Sequence, residues 1–328
     1  MNIKALLKSL LLRKFTTGLL ILQLSITLGL LINSVILAVD TNEKLAQDTG
    51  FDIENTLIVS LHPTSGEYRN LDYYRSIVSE DLQQLSKLSG VESVSLINQL
   101  PISKRGMLGN VYDLEDPEIL RRDKYLQDSK IFLTNENLSN TLALALLEGR
   151  FLTKDDQLDF GSDQEGNVLI TESLRKALYG DSSALGRETN NGRIVGVVKD
   201  IMLNPTLPIN KQYGVFGNSV MEYIFVGRYY MLKVSPGQVE AVRNRVSDTI
   251  LAVQPERDIY RIITMAEHMK RFYSHDKGLA ELFLMLCGLM IFVTAISSYA
   301  YSQFHISRQK KYIGIRRALG ARKKDILL

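Results

Sequence analysis

The run FTTGLLILQLSITLGLLINSVILAV, residues 15–39, decides the fold because it contains no charged side chain. About 20 apolar residues in a helix cross the hydrocarbon core of a bilayer, so this run is long enough to span it. Lipid cannot hydrogen-bond an exposed backbone, and the segment must therefore be helical. A cleaved signal peptide is the alternative, but it needs a shorter apolar core and a small-x-small cleavage site, which residues 37–40 match poorly. The sequence predicts a membrane anchor over residues 16–39.

A second uncharged run, residues 282–307, lies near the other end of the chain. Lysines and arginines precede the first run and follow the second, and such short positive flanks stay in the cytoplasm. The sequence therefore predicts two spans, 16–39 and 279–307, in the cytoplasmic membrane of a bacterium. Both termini are expected in the cytoplasm, with residues 40–278 outside it.

The residues before the first span and the polar residues inside it lead to two further predictions. Apolar and basic side chains alternate at near-helical spacing before it, which predicts an amphipathic helix on the inner membrane face over residues 1–15. Ser25 and Gly29 lie four apart inside the span and permit close helix contact. A polar substrate path is the alternative interpretation, but residues 16–39 and 282–307 contain no Asp, Glu, Lys or Arg to mark one. The polar side chains of the first span are Gln23, Ser25, Thr27, Asn33 and Ser34.

Two strand–helix–strand patterns lie far apart in residues 40–278. Apolar residues with a period of two predict the strands, and a period of 3.6 predicts each helix. Two such units can assemble into a split β-α-β sheet, so we predict that their four strands pair. Residues 101–226 then form an inserted, mainly-β subdomain of an α+β extracytoplasmic domain. The predicted elements are strands 55–61, 91–96, 229–234 and 258–263 with helices 71–88 and 239–253, and, in the insertion, strands 167–171 and 193–199 with helix 172–179.

The sequence contains no recognisable catalytic centre. It has no GxxxxGK phosphate loop, no HExxH and no GxSxG. A single cysteine, Cys287, excludes a disulfide framework within the chain, and we expect it to be an inert apolar residue of the second span. Asp155, Asp156 and Asp159 lack the spacing of a calcium cage, and we expect a solvated turn. The sequence predicts no catalytic residue, cofactor, metal site or nucleic-acid partner.

Residues 308–328 read RQKKYIGIRRALGARKKDILL, an amphipathic stretch in which apolar and basic side chains alternate. Gly314 and Gly320 allow close packing or a turn, which favours a short helix parallel to the membrane that meets a partner groove. This stretch resembles the R-x-x-x-E-I-G-I-R-x-A-L-G-A signature of the MacB/FtsX-like ABC transporter permeases. Tyr312 departs from it, because the family usually has Glu there, and a salt bridge of that Glu is not implied. A basic tail that binds anionic lipid is the alternative interpretation.

Three further stretches resemble the same family in the same order. They are LEGRF at 147–151, the region 168–187 that contains VLITESL and LGR, and IVGVVKD at 194–200. The resemblance covers essentially all of the chain, including the two spans and the large domain between them. It implies a coupling segment that docks on a separate ABC ATPase, comprising Ile313, Gly314, Ile315, Arg316, Arg317, Ala318, Leu319, Gly320 and Ala321.

The resemblance implies a non-catalytic permease subunit that transmits ATPase-driven motion to the extracytoplasmic domain for export or release of a substrate. Its expected partners are the ATPase, a second permease in a homo- or heterodimer, membrane lipids, and a periplasmic adaptor or substrate protein. The alternatives are an FtsX-like regulator that transmits force to an outside partner, a two-span ligand-sensing receptor, and a truncated remnant. Family members have two further spans, so the resemblance implies a truncated product, a fragment of a longer gene or half of a split permease.

Overall fold

The computed structural model describes residues 14–115, 126–159, 166–220 and 228–319. The chain forms two compact units. One unit contains the described residues up to Lys44 together with those from Tyr273 onward, and it is the helical unit below. The other unit, Leu45–Phe272, is the sheet domain. The predicted amphipathic segment falls almost entirely outside the described residues.

Along the chain, one long helix precedes the strands of the sheet and another follows them. In chain order the helices are α1 (Lys14–Ala46), α2 (Leu71–Ser86), α3 (Leu138–Thr141), α4 (Glu172–Tyr179), α5 (Val239–Val253), α6 (Met265–Phe272) and α7 (Ser274–Ala318). The strands are β1 (Thr56–Pro63), β2 (Val91–Ile97), β3 (Leu108–Val111), β4 (Leu126–Thr134), β5 (Leu146–Gly149), β6 (Leu158–Asp159), β7 (Asn167–Thr171), β8 (Glu188–Thr189), β9 (Gly192–Val198), β10 (Gly214–Val220), β11 (Arg228–Val234) and β12 (Arg257–Thr264).

Two helical stretches are long and apolar enough to cross a membrane, Ile21–Ala46 in α1 and Ser274–Ala300 in α7. They overlap the predicted spans, but α1 continues six residues beyond Asp40, which bounds the apolar run. No glycine or proline interrupts the chain there before Gly50, and Lys44 pairs with Asp40 at 2.6 Å one turn away. A charge therefore marks the edge of the apolar run and not the end of the helix.

The four strands of the two predicted units lie side by side in the order β12-β1-β11-β2, and every neighbouring pair is antiparallel. The predicted pairing of these strands is confirmed. Helices α2 and α5 cover the sheet and enclose a core that includes Leu57, Tyr74 and Val246. Asn70 caps α2, because its side chain accepts hydrogen bonds from two backbone amides of the first turn. The apolar residues whose spacing predicted the two helices thus form the faces that pack on the sheet.

Residues between β2 and β11 continue the same sheet in the order β4-β10-β7-β9-β5. The β4–β10 and β7–β9 pairs are parallel. These strands surround a second core, which includes Val111, Ile170 and Ile194. Strands β7 and β9 and helix α4 stand where the sequence predicts them. The inserted strands therefore extend the first sheet, with a core of their own.

Candidate functional site

The described part of the predicted coupling segment, residues 313–319, lies at the far end of α7. The helix includes residues up to Ala318, and Leu319 follows it directly. Ile315 and Leu319 are four residues apart on one helix face and are 53% and 83% exposed. Gly320 and Ala321 lie outside the described residues. The structure thus brings most of the predicted segment onto one helix end, with two apolar side chains uncovered.

The described part of the segment does not form the separate short helix that the sequence predicts. Helix α7 runs unbroken for 45 residues, which at 1.5 Å per residue is about 67 Å. Gly314 lies within it, and a glycine costs a helix only about 1 kcal/mol relative to alanine. No proline occurs after Pro255 to end the helix. The second predicted span and the described part of the predicted coupling segment are therefore one continuous helix.

The helical unit holds α1 against α7 through polar contacts inside the apolar spans. The Gln23 amide donates to the carbonyl oxygen of Met290 at 3.1 Å and also bonds the hydroxyl of Thr294. Buried Ser34 donates to the carbonyl oxygen of Ala280 at 2.9 Å. Helix packing, predicted for the polar residues of the first span, is confirmed for Gln23 and Ser34. In hydrocarbon such bonds satisfy groups that water cannot reach, so they fix the register of the two helices.

The remaining polar residues of the first span mark a different face of α1. Ser25, Gly29 and Asn33 follow one another at intervals of four, and all three are exposed in the helical unit. A Cβ atom placed on Gly29 would have no neighbour within 4 Å. The Asn33 amide makes no hydrogen bond to any residue that the structure describes. An unpaired amide at membrane depth is costly, so this face is suited to a further helix.

The sheet domain contains a buried ion pair that no pattern in the sequence predicted. Arg257 at the start of β12 forms a bidentate pair with Asp81 of α2, whose Oδ1 atom lies 2.9 Å from Nη2. The phenol of Tyr230 donates to the same carboxylate at 2.7 Å. Burial holds the pKa of Tyr230 well above its ordinary value of 10, so the phenol stays protonated and donates. The pair links both strand–helix–strand units.

The acidic cluster after β5 differs from the solvated turn that the sequence predicts. Asp155 is exposed, but Asp156 is buried and accepts a bidentate pair from Arg150, with atoms 2.6 and 2.8 Å apart. The Thr153 amide and the Asn167 side chain donate to the same carboxylate at 2.7 and 2.6 Å. Asp156 therefore organises the turn from within. Among the described residues, no group of three or more His, Cys, Asp or Glu is arranged to hold a metal ion.

Residues 19–253 match the protein family described as the MacB-like periplasmic core domain. This match covers well over half of the chain. The chain belongs to the MacB-like family of ABC permeases. Membership of this family, together with the two apolar helices, indicates an inner-membrane protein with a mixed α/β domain of the periplasmic type.

Two curated MacB proteins give the scale of the likeness. The macrolide export ATP-binding/permease protein MacB of Aggregatibacter actinomycetemcomitans is 22% identical over 329 residues, which cover 94% of this chain and 46% of that protein. The protein of the same name from Chromobacterium violaceum is 24% identical over 196 residues, or 56% of this chain and 29% of that protein. This MacB-like chain therefore spans less than half the length of these curated relatives.

Solved structures also show a likeness to the chain. The crystal structure of the periplasmic region of MacB from Actinobacillus actinomycetemcomitans is 20% identical, with a TM-score of 0.43. The alignment covers 69% of this chain and 94% of that structure. The extracellular domain of the noncanonic ABC-type transporter YknZ from Gram-positive bacteria is 12% identical, with a TM-score of 0.38.

Proposed function

We propose that this chain is the permease subunit of a MacB-type ABC system and carries motion from an ATPase to the sheet domain. In this proposal both termini lie in the cytoplasm, and the domain of residues 40–278 lies outside the inner membrane. The subunit itself is not an enzyme, and ATP hydrolysis occurs on a separate partner. The motion exports or releases a substrate on the outer side. Membership of the MacB-like family carries the proposal.

The geometry of α7 supports a lever of this kind. About 20 helical residues cross the bilayer, so a 45-residue helix extends well beyond it. Because the helix is unbroken, a push at its end near Leu319 is passed along its axis and not absorbed at a bend. The hydrogen bonds of Gln23 and Ser34 make α1 follow α7. The two spans would then move together as one rod pair.

The coupling segment supplies the ATPase contact in this proposal. Ile315 and Leu319 are exposed apolar side chains beside Arg316 and Arg317 in the sequence. Apolar anchors with neighbouring cations suit a groove on a partner surface, as in helix-in-groove recognition. The cost of leaving Leu319 so exposed is removed when a partner covers it.

The test is co-purification of the full chain with a MacB-type ABC ATPase subunit. Ile315→Asp, Leu319→Asp, Gly314→Leu and Arg316→Ala are each expected to weaken the complex about 10- to 100-fold, because each loses an anchor or blocks close approach. Lys310→Ala, an exposed residue on the same helix outside the segment, is the matched control. Unchanged binding by all four variants would refute the docking role.

We further propose that the chain pairs with a second permease through the face of Ser25, Gly29 and Asn33. Small residues let two helices approach closely, and an asparagine amide can both donate to and accept from its own copy across a two-fold axis. The same face is left uncovered by α7 within the helical unit.

Asn33→Leu is expected to weaken dimerisation in detergent about 3- to 30-fold, the range for one hydrogen bond between membrane helices. Förster transfer between labelled copies at varied detergent ratios measures it. Val35→Ala is the control, because this exposed residue lies about 200° round the helix from Asn33. An Asn33→Leu chain that dimerises as well as the parent would exclude this face.

A further inference from the structure

The sheet domain has a joint between its two halves. Strands β2 and β4 share one register pair, Ile97 with Thr134, whereas β2 and β11 share six. Each half has its own apolar core. The joint is held chiefly by side chains, since Asn98 accepts from the Leu133 amide at 3.0 Å and Asn135 accepts from the Leu96 amide at 3.3 Å. Two halves that share one register pair and a limited set of hydrogen bonds can rotate relative to each other.

A strained loop crosses this joint between Asn98 and Met107. Ile102, at the centre of the loop, is fully buried and has a φ of 53°, a left-handed conformation that a β-branched residue rarely adopts. Its amide donates to the carbonyl oxygen of Met202 at 3.2 Å, and the Ser103 amide donates to that of Leu203 at 3.1 Å. Such backbone strain persists only where the surrounding contacts impose it, and it is common in switch regions.

The contacts that hold Ile102 come from segments joined directly to the two long helices. The ring of His268 in α6 contacts the Ile102 carbonyl oxygen through Nε2 at 3.1 Å. A carbonyl only accepts, so Nε2 carries the hydrogen. The chain passes from α6 into α7 within two residues. On the other side, the Met202 amide donates to the carbonyl oxygen of Thr49, three residues after α1 ends.

The far end of the loop is anchored in the inserted half. The side-chain amide of Gln99 donates to the Ile131 carbonyl oxygen of β4 at 2.8 Å. Its oxygen accepts a hydrogen bond from the backbone amide of Met107, also at 2.8 Å. Buried Lys130 of β4 donates to the Arg105 carbonyl oxygen at 3.2 Å. A displacement of Ile102 is therefore passed to β4 and to the strands beside it.

We propose that His268 is the positioning residue through which α6 sets the angle between the two halves of the sheet domain. When α7 moves along its axis, α6 pulls or releases the Ile102 carbonyl, and the loop turns the inserted half about the joint at Ile97. The proposal rests on the function proposed above, because that function supplies the motion of the spans. It adds the place in the domain where the motion becomes a change of shape.

The test measures the angle between the halves in the full chain, in lipid nanodiscs and without any ATPase. Spin labels at Gln83 of α2 and Asp181 after α4, both exposed, report the distance between halves by double electron–electron resonance. Labels at Gln83 and exposed Asn244 of α5 report one half alone and are the control pair. Cys287→Ala removes the native thiol. The variants compared are His268→Leu, which has no donor, and His268→Gln, which keeps one.

We expect His268→Leu to add a second distance population between the halves while the control pair is unchanged. Losing one hydrogen bond should also speed hydrogen exchange of the Ile102 amide about five- to tenfold. His268→Gln should behave as the parent does. An unchanged distance in His268→Leu, an equal change in His268→Gln, or equal broadening of the control pair would each overturn the proposal. Because no ATPase is present, a failure of docking at the coupling segment cannot produce any of these results.

Discussion

Replacing Asp81 by alanine is expected to destabilise the sheet domain by about 3–5 kcal/mol, the cost of breaking a buried ion pair on one side. The side chains of Asp81 and Arg257 are 0% and 2% exposed, so water cannot replace the lost carboxylate. The Tyr230 hydroxyl loses its acceptor as well. Among the described residues, the guanidinium would retain carbonyl oxygens as its hydrogen-bond acceptors, including that of Gln254 at 2.9 Å, and these leave its charge unbalanced.

Hydrogen exchange of the β1 and β11 amides in the full chain measures the loss, since these central strands open only when the domain does. Glu80→Ala is the matched control, because Glu80 is the exposed carboxylate next in the chain and its removal should cost less than about 0.5 kcal/mol. The double variant Asp81→Leu with Arg257→Met should recover much of the stability, since apolar pairs of similar volume replace buried ion pairs well. A loss for Asp81→Ala no larger than that for Glu80→Ala would contradict this account.

The elements of the sheet were predictable from the sequence because each has a local signal. The strand–helix–strand pattern of residues 55–96 requires only apolar periods and the stop at Gly90, and β1, α2 and β2 follow it closely. The pairing of distant strands was also predictable, since a split β-α-β sheet is one of few solutions for two such units. The order of the inserted strands was not predictable, because it depends on crossover connections between strands that no local pattern encodes.

The contacts between distant residues were beyond sequence reasoning. Asp81 and Arg257 are 176 positions apart, and neither stands out among the charged residues of the chain. Asp156 looked like one of three surface acids, although Arg150 and Asn167 enclose it. Only the fold shows which carboxylate points inward.

The coupling segment shows a different limit. The resemblance implies its residues but not its shape, because Gly314 permits a turn without requiring one. The length of α7 is consistent with the absence of proline after Pro255, a feature that the apolar run alone did not reveal. Ile315 and Leu319 are exposed, but their docking on a partner remains a prediction.

Asp156→Asn is expected to lower the stability of the sheet domain by about 2–3 kcal/mol at neutral pH, the scale of a charge-assisted bidentate pair with further donors. The hydrogen bonds from Arg150 and the other donors around Asp156 hold the pKa of this carboxyl well below its usual range. The amide keeps the volume but loses the charge that Arg150 requires. Thermal unfolding of the full chain in detergent should show a midpoint lowered by about 5–10 °C.

The stability difference between the parent and Asp156→Asn should depend on pH. A carboxyl with a lowered pKa contributes stability that is complete above its unfolded pKa of about 3.9 and is lost as the pH falls through the folded value. The gap between the parent and Asp156→Asn should therefore be constant from pH 7 to about pH 5 and shrink at lower pH. Asp155→Asn, at the exposed neighbouring position, should leave the midpoint within about 1 °C at every pH. A gap that persists undiminished in acid would show that the loss in Asp156→Asn does not come from the missing charge.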